Sequence, residues 1–455
     1  MPFESTNPAT GAVLARFETL SDGALEERLK RAQAAFEQWK AVPIAERARL
    51  MTRVADILEA DSDRLAAIVT SEMGKPLRDG KAEAQKSAKG CRFYAQHAEE
   101  FLKDEPVATE ALRSYVRYEP LGPVFAIMPW NFPLWQVYRF AAPALMAGNV
   151  GLLKHAPIVP QCAMAIEGSF ERAGFPAGVF QNLFIETDQA ACVMDDRRVR
   201  AVTLTGSERA GREIASRSGR ALKKTVLELG GSDPFVVMPS ADLDAAVSTA
   251  VKSRTGNTGQ SCIAAKRIIV ANEIANAFLA RFVGAMEALK VGDPTDPATD
   301  LGPMARPDLV SGLEAQVQAT IAAGARVLTG GKRPAGMGNF YPPTVLVDVP
   351  DHSPGACEEL FGPVAAVFRV EGIDEAIRVA NNTSYGLGAS VWTTDAGEQA
   401  RFSKEIQAGQ VFINSMVFSD PRVPFGGVKN SGFGRELGAQ GIREFVNAKT
   451  VWVAS

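Results

Sequence analysis

Cys262 ends the small polar stretch Gly259-Gln260-Ser261-Cys262, just after a helix-like pattern from Leu243 to Ser253, where a thiol can be approached by substrate. At an ordinary pKa of about 8.5 only a few per cent of a thiol is thiolate at neutral pH, so nucleophilic use needs a base or electropositive help. Glu228 interrupts the apolar run Val226-Leu227-Glu228-Leu229 and is followed by Gly230 and Gly231, which let another backbone or a ligand come close. A carboxylate in such a run is costly unless it is used, as a base or in an ion pair. The Cys–Glu pair is the sharpest constellation in the chain. Plainer readings stand beside it: Cys262 as a small buried hydrophobe, Glu228 as a structural ion-pair partner or a strand-end side chain reaching solvent.

Thr205-Gly206-Ser207-Glu208-Arg209-Ala210-Gly211 sits at a strand-to-helix junction, where free N–H groups and the positive helix end favour phosphate. Ser207 as a simple N-cap on a Gly206 turn is the alternative. The glycine-rich loop usual after the first strand of a dinucleotide fold is missing, and Met128-Pro129-Trp130-Asn131-Phe132-Pro133 stands in its place. Gly432-Phe433-Gly434 follows no clear strand and carries no weight as a fingerprint. No GxSxG occurs, and His97, His155 and His352 have no ligand spacing and lie near no Ser or Cys nucleophile, which speaks against a hydrolase triad and a zinc site. Glu167, Glu213 and Glu287 read as helix-surface carboxylates.

The elements that must hold these residues come from periodicity. The 455 residues suggest two or three domains. Leu25, Leu29, Ala32, Phe36 and Trp39 form one helical stripe, which Pro43 ends. A second helix turns Leu50, Val54, Ile57 and Leu58 inward and Arg47, Arg49, Arg53 and Glu59 outward. Short apolar runs at 124–128, 150–153, 179–184, 201–204 and 226–229, separated by helical patterns, predict a doubly wound parallel sheet. A second α/β series follows Gly231, with strands expected at 235–238, 268–271, 364–370, 389–392 and 411–413. The Gly- and Pro-rich stretches 330–343 and 424–438 read as turns joining the two units.

Composition narrows the function. Lys plus Arg is 49 against 52 Asp plus Glu, a net charge of −3, too weak a field to grip nucleic acid. Five cysteines without a CxxC pair suit a reducing compartment, and Met1-Pro2-Phe3-Glu4 does not read as a secretory signal, so the expected location is cytoplasmic. The uncharged stretch Pro120 to Tyr138 holds four prolines and reads as a loop-rich buried segment rather than a membrane span.

In order along the chain, Pro129-Trp130-Asn131-Phe132-Pro133, Thr205-Gly206-Ser207, Leu227-Glu228-Leu229-Gly230-Gly231, Gly259-Gln260-Ser261-Cys262 and Glu359-Leu360-Phe361-Gly362-Pro363 resemble the motif set of the aldehyde dehydrogenase superfamily, from Asn7-Pro8-Ala9-Thr10-Gly11 to Thr450–Val453. The resemblance implies an α/β fold with a Rossmann-type cofactor domain (1–109 and 124–229), a second α/β catalytic domain (230–420) and a small oligomerisation sheet (110–123 and 437–455). It implies Cys262 as nucleophile, Glu228 as general base and Asn131 as oxyanion donor. It places Pro129, Trp130, Thr205, Gly206, Ser207, Leu229, Glu359 and Phe361 around the cofactor, with Lys154 and Pro157 at the adenosine ribose. The chemistry implied is thiolate attack on an aldehyde, hydride transfer and thioester hydrolysis.

Trp135-Gln136-Val137-Tyr138-Arg139-Phe140 and Phe418-Ser419-Asp420-Pro421-Arg422 further resemble the bacterial succinate-semialdehyde dehydrogenase group, in which Arg139 and Ser419 match positions that hold a distal carboxylate. A helix-surface ion pair is the other reading of Arg139. Pro157 stands where NAD-preferring relatives often carry a glutamate; without that carboxylate both NADP and NAD stay open. Other short aldehydes (glutarate semialdehyde, aliphatic or aromatic) and a cofactor-independent thiol hydrolase or transferase are the alternatives. A homodimer or homotetramer is expected, with no metal, nucleic-acid or membrane partner.

Overall fold

The computed structural model describes residues 3–454. The five apolar runs of the first half form parallel strands, Pro123–Met128, Val150–His155, Phe180–Asn182, Ala201–Thr205 and Lys224–Glu228. Chain order starts in the middle, steps outward twice on one side, then crosses to Ala201–Thr205 on the other. That reversal leaves a crevice at the carboxyl ends of Pro123–Met128 and Ala201–Thr205, the position where open α/β sheets bind ligands.

Gly432–Phe433 adds a sixth, antiparallel strand beside Leu227 and Glu228. The stretch 424–438, read from sequence as turns, thus supplies part of the first sheet. Gly432 has φ +113, and a Cβ on it would collide with the Leu227 carbonyl, so only glycine lets this return strand lie so close.

The second sheet has seven strands in the order Arg326–Thr329, Thr344–Val347, Val364–Val370, Ala265–Ala271, Asp233–Val237, Gly388–Trp392 and Gln410–Ile413. The first of these is antiparallel and the others are parallel. The five runs expected from sequence are present. Arg326–Thr329 and Thr344–Val347 complete the sheet just before and just after the segment taken for turns. A third, antiparallel sheet joins Val446–Val453 to Arg113–Pro120 and Glu105–Pro106.

The helical opening is Asp22–Trp39, Ile44–Ala60, Ser62–Met73 and Leu77–Leu102, and Leu25, Leu29, Ala32, Phe36 and Trp39 are buried as the stripe demands. Pro43 caps the second helix rather than ending the first. Arg47, expected outward, is buried, its guanidinium lying against Gly148. Pro120 to Tyr138 resolves into the strand Pro123–Met128, a loop, and the start of the helix Trp135–Met146, in which all twelve residues are buried. Glu167, expected on a helix surface, is buried and accepts hydrogen bonds from Arg28 at 2.8 Å and from the Asn182 N–H at 3.2 Å. Among the described residues no helix is long and apolar enough to cross a membrane.

Candidate active site

At the crevice, three strand ends open into a cavity of about 320 Å³. Pro129, Trp130 and Asn131 follow the central strand, Thr205, Gly206 and Ser207 the next, and Leu229 the third; Cys262, Glu359 and Phe361 enter from the second unit. These ten residues, more than two hundred positions apart at the extremes, are brought together as the motif set implied. Gln136, Gly230, Arg306 and Leu309 complete the lining, and of these Arg306 and Leu309 stand in no motif read from sequence. Trp130 and Phe361 meet edge to face with ring centres 5.9 Å apart. Ser207 caps the helix Glu208–Arg220 by accepting from the Ala210 N–H, so the positive helix end lies at the cavity wall.

The thiol loop is fixed by buried polar contacts. Asn131 Nδ2 donates to the Gln260 carbonyl at 3.1 Å, and Asn257 Nδ2 donates to both the Asn131 and Gln260 carbonyls at 2.8 and 3.0 Å. Asn257 and Thr258 hold φ +56 in this turn, a left-handed conformation that costs free energy and is kept by these contacts. The Lys266 ammonium donates to the Ser261 and Cys262 carbonyls at 2.6 and 2.5 Å and pairs with Glu359 Oε1 at 3.0 Å. Lys266 is a residue that sequence reasoning missed; its signal was a Lys-Arg pair inside the otherwise apolar strand Ala265–Ala271. The Ser261 carbonyl belongs to the same peptide as the Cys262 N–H, so Lys266 fixes the direction of that N–H. Among the described residues the Cys262 N–H has no hydrogen-bond partner.

Burial pushes the Cys262 thiol up to about 12, with Lys266 and Arg139 opposing and Glu359 and Asp233 adding to the rise. Glu228 is buried outside the cavity lining, against Gly426. Desolvation first, and the neighbouring Glu436 second, hold its carboxyl well above the usual carboxylate range. Neither Glu228 oxygen has a hydrogen-bond partner among the described residues.

Arg139 forms an ion pair, but in the interior rather than on a helix surface. Its guanidinium pairs with Glu436, donates to Thr205 Oγ1 at 3.4 Å and lies 4.6 Å from the Phe425 ring centre. The reason is local charge: two buried carboxyl groups, Glu228 and Glu436, share its field. Ser419 is buried and accepts from Trp135 Nε1 at 2.9 Å and Lys86 Nζ at 2.7 Å. Lys154 is the penultimate residue of the strand Val150–His155, where burial lowers its pKa against the pull of Glu186, and Pro157 is exposed just beyond. Both lie outside the lining of the cavity.

A second cavity, of about 520 Å³, lies on the other side of the same loops. Phe132, Ser261 and Ile263 line it, whereas Asn131 and Cys262 line the first. The thiol loop therefore stands between two chambers. Among the described residues no cluster of His, Cys, Asp and Glu could hold a metal ion.

Comparison with known proteins agrees with this geometry. The aldehyde dehydrogenase family model matches residues 1–451. The chain is 54% identical over its full length to a probable succinate-semialdehyde dehydrogenase [NADP(+)] of Synechocystis sp., covering 100% of both proteins. It is 54% identical, again over 100% of both, to succinate-semialdehyde dehydrogenase [NADP(+)] 1 of Mycobacterium tuberculosis. The succinic semialdehyde dehydrogenase of Streptococcus pyogenes, solved in complex with NADP+, superposes with a TM-score of 0.98 at 36% identity, covering 100% of both chains. With its thiol at the crevice of a doubly wound sheet and the family pattern running through 451 residues, the chain belongs to the aldehyde dehydrogenase family.

Proposed function

We propose that the protein oxidises succinate semialdehyde to succinate with NADP, using Cys262 as nucleophile. The observation that carries this reading is the meeting of Cys262, Asn131, Thr205–Ser207 and Glu359 around one cavity, beside a second chamber that reaches the same loop. The relatives named above supply the substrate and cofactor class.

The residues fit a nicotinamide cofactor. A Cβ on Gly230 would collide with the Glu359 carboxylate, so glycine is what lets that carboxylate reach the cavity. Glu359 Oε1 is taken by Lys266 and the Gly231 N–H, which leaves Oε2 to accept from ribose hydroxyls. Lys154 suits a 2′-phosphate, which no carboxylate at position 157 repels. When bound, the nicotinamide supplies the hydride acceptor.

The chain's own groups do the rest. The Cys262 sulfur, as thiolate with its proton released to water, forms a bond to the aldehyde carbon as the C=O π bond opens, and the oxygen that takes that electron pair receives hydrogen bonds from Asn131 Nδ2 and the Cys262 N–H. Glu228, whose proton affinity burial has raised, takes the proton of the water that hydrolyses the resulting thioester. Segments 1–109 and 124–229 hold the cofactor in this reading, 230–420 carries the thiol, and the three-stranded sheet joins copies of the chain into a cytoplasmic homo-oligomer.

The test follows nicotinamide reduction with succinate semialdehyde, with NADP and NAD in parallel, on wild type and Cys262→Ala. The expected result is reduction that requires Cys262, with kcat/KM higher for NADP. Ester hydrolysis without cofactor, alongside no reduction with any aldehyde, would replace this reading with thiol hydrolysis.

A further inference from the structure

The hydrolytic water has to be aimed as well as deprotonated. A water bound to Glu228 alone turns freely about that one hydrogen bond, so its lone pair faces the acyl carbon only part of the time. A water held by both hydrogens presents a lone pair in one direction.

The cavity that holds the thiol contains one polar group without a task in the fold. Gln136 is 2% exposed and lines this cavity, and its Oε1 has no donor among the described residues. No other lining residue leaves an enclosed acceptor unmet in this way among the described residues. Such an oxygen is a cost to the fold, which a methionine of similar size would not carry.

Its position points to the general base. Gln136 stands three residues before Arg139 on the helix Trp135–Met146, so the two side chains share a face. Arg139 Nη2 donates to Thr205 Oγ1, its charge acts on Glu228, and Thr205 is the register partner of Glu228 in the sheet. This helix face therefore lies over the ends of the strands Ala201–Thr205 and Lys224–Glu228. Leu229, next in the chain to Glu228, lines the same cavity as Gln136 and Cys262, so rotation about the Glu228 side-chain bonds carries the carboxylate to its wall. Both Glu228 oxygens, like Gln136 Oε1, lack a donor. A molecule with two hydrogens to give and a lone pair to spare satisfies both groups.

We propose that Gln136 is a further catalytic residue, whose amide oxygen accepts one hydrogen of the hydrolytic water while Glu228 accepts the other, so that the water's lone pair faces the thioester carbon. The inference rests on the reading of Cys262 as nucleophile and Glu228 as base. The water oxygen bonds to the acyl carbon, and the proton held by Glu228 passes to that carboxylate. The electron pair on the tetrahedral oxygen then restores the C=O bond as the C–S bond breaks, and Cys262 leaves as thiolate. The hydrogen held by Gln136 stays on the new carboxyl group. Gln136 acts only after the hydride has left, so its loss spares thioester formation.

The experiment separates the two halves of the reaction. Full-length wild type and Gln136→Met are mixed with excess NADP and succinate semialdehyde, and NADPH is followed by stopped flow through the first turnover and into the steady state. Gln136→Met is expected to give a burst approaching one NADPH per active site, then a steady rate about tenfold or more below wild type. Mass spectrometry of acid-quenched samples should show more succinyl thioester on Cys262 in the variant than in wild type. The variant's Tm is expected at or above that of wild type, because an unpaired enclosed acceptor has been removed. A steady rate within about threefold of wild type overturns the role of Gln136. A slowed first turnover without thioester build-up, or a lowered Tm without a burst, overturns it too and assigns the side chain to binding or folding. No NADPH from wild type overturns the proposed activity itself.

Discussion

The two groups that the proposed chemistry needs as anions, the Cys262 thiolate and the Glu228 carboxylate, are both held towards their neutral forms by burial. A dry site strengthens every dipole aimed at the reacting oxygen, and the same dryness raises the cost of charge before substrate arrives. The Asn131 amide is prepaid in this sense: the Gln260 carbonyl already fixes its direction and Asn257 holds the Asn131 backbone, so little reorganisation is left for the transition state. Asn131→Ala is expected to lower kcat by about a hundredfold while KM moves much less, the pattern of a donor used only when the oxyanion forms. Steady-state kinetics with succinate semialdehyde checks it; equal losses in kcat and 1/KM would assign Asn131 to ground-state binding.

Between residue and molecule stand the loops at the strand ends, and one histidine ties two of them together. The His155 ring meets the Ala156 N–H at 2.9 Å and the Met128 carbonyl at 3.3 Å through Nδ1, and the Pro133 carbonyl at 2.9 Å through Nε2. This holds the 129–133 loop, with Asn131 on it, against the neighbouring strand. Burial lowers His155 from 6.5 to about 4, so between those values the unfolded chain binds more protons than the folded one. Stability from this group is complete above pH 6.5 and is lost as pH falls towards 4, at up to about 1.4 kcal/mol per pH unit. Urea unfolding between pH 7.5 and 4.5 should show a shallower acid loss in His155→Gln than in wild type. Parallel curves would remove His155 as a source of acid sensitivity.

At the scale of the whole molecule, Val446–Val453 lies at the edge of the three-stranded sheet, with Trp452 49% exposed. An eight-residue edge strand bearing an exposed tryptophan is a surface that proteins ordinarily cover. Burying that ring in a contact between chains would stabilise an oligomer by about 1.5–3 kcal/mol per copy. Light scattering is therefore expected to give a dimer or tetramer for wild type and a smaller mass for Trp452→Glu at micromolar concentration. An unchanged mass would move the contact elsewhere.

The amino-acid sequence by itself determined the local elements and the chemical inventory. Leu25 to Trp39 repeat with the period of a helix, the runs at 124–128 and 201–204 have the length and apolar character of buried strands, and Cys262, Glu228 and Asn131 stand in ordered motifs. These signals are local, so short windows carry them. Tertiary structure decided which charges meet. Arg139 finds Glu436 almost three hundred residues away, Lys86 finds Ser419, and Lys266 bridges the thiol loop to Glu359. The partly exposed strand Arg326–Thr329 and the two-residue strand Gly432–Phe433 likewise lack an apolar run long enough to announce them. A side chain's partner is set by where the backbone carries both ends, and burial then fixes its ionisation; periodicity and spacing along the chain contain neither quantity.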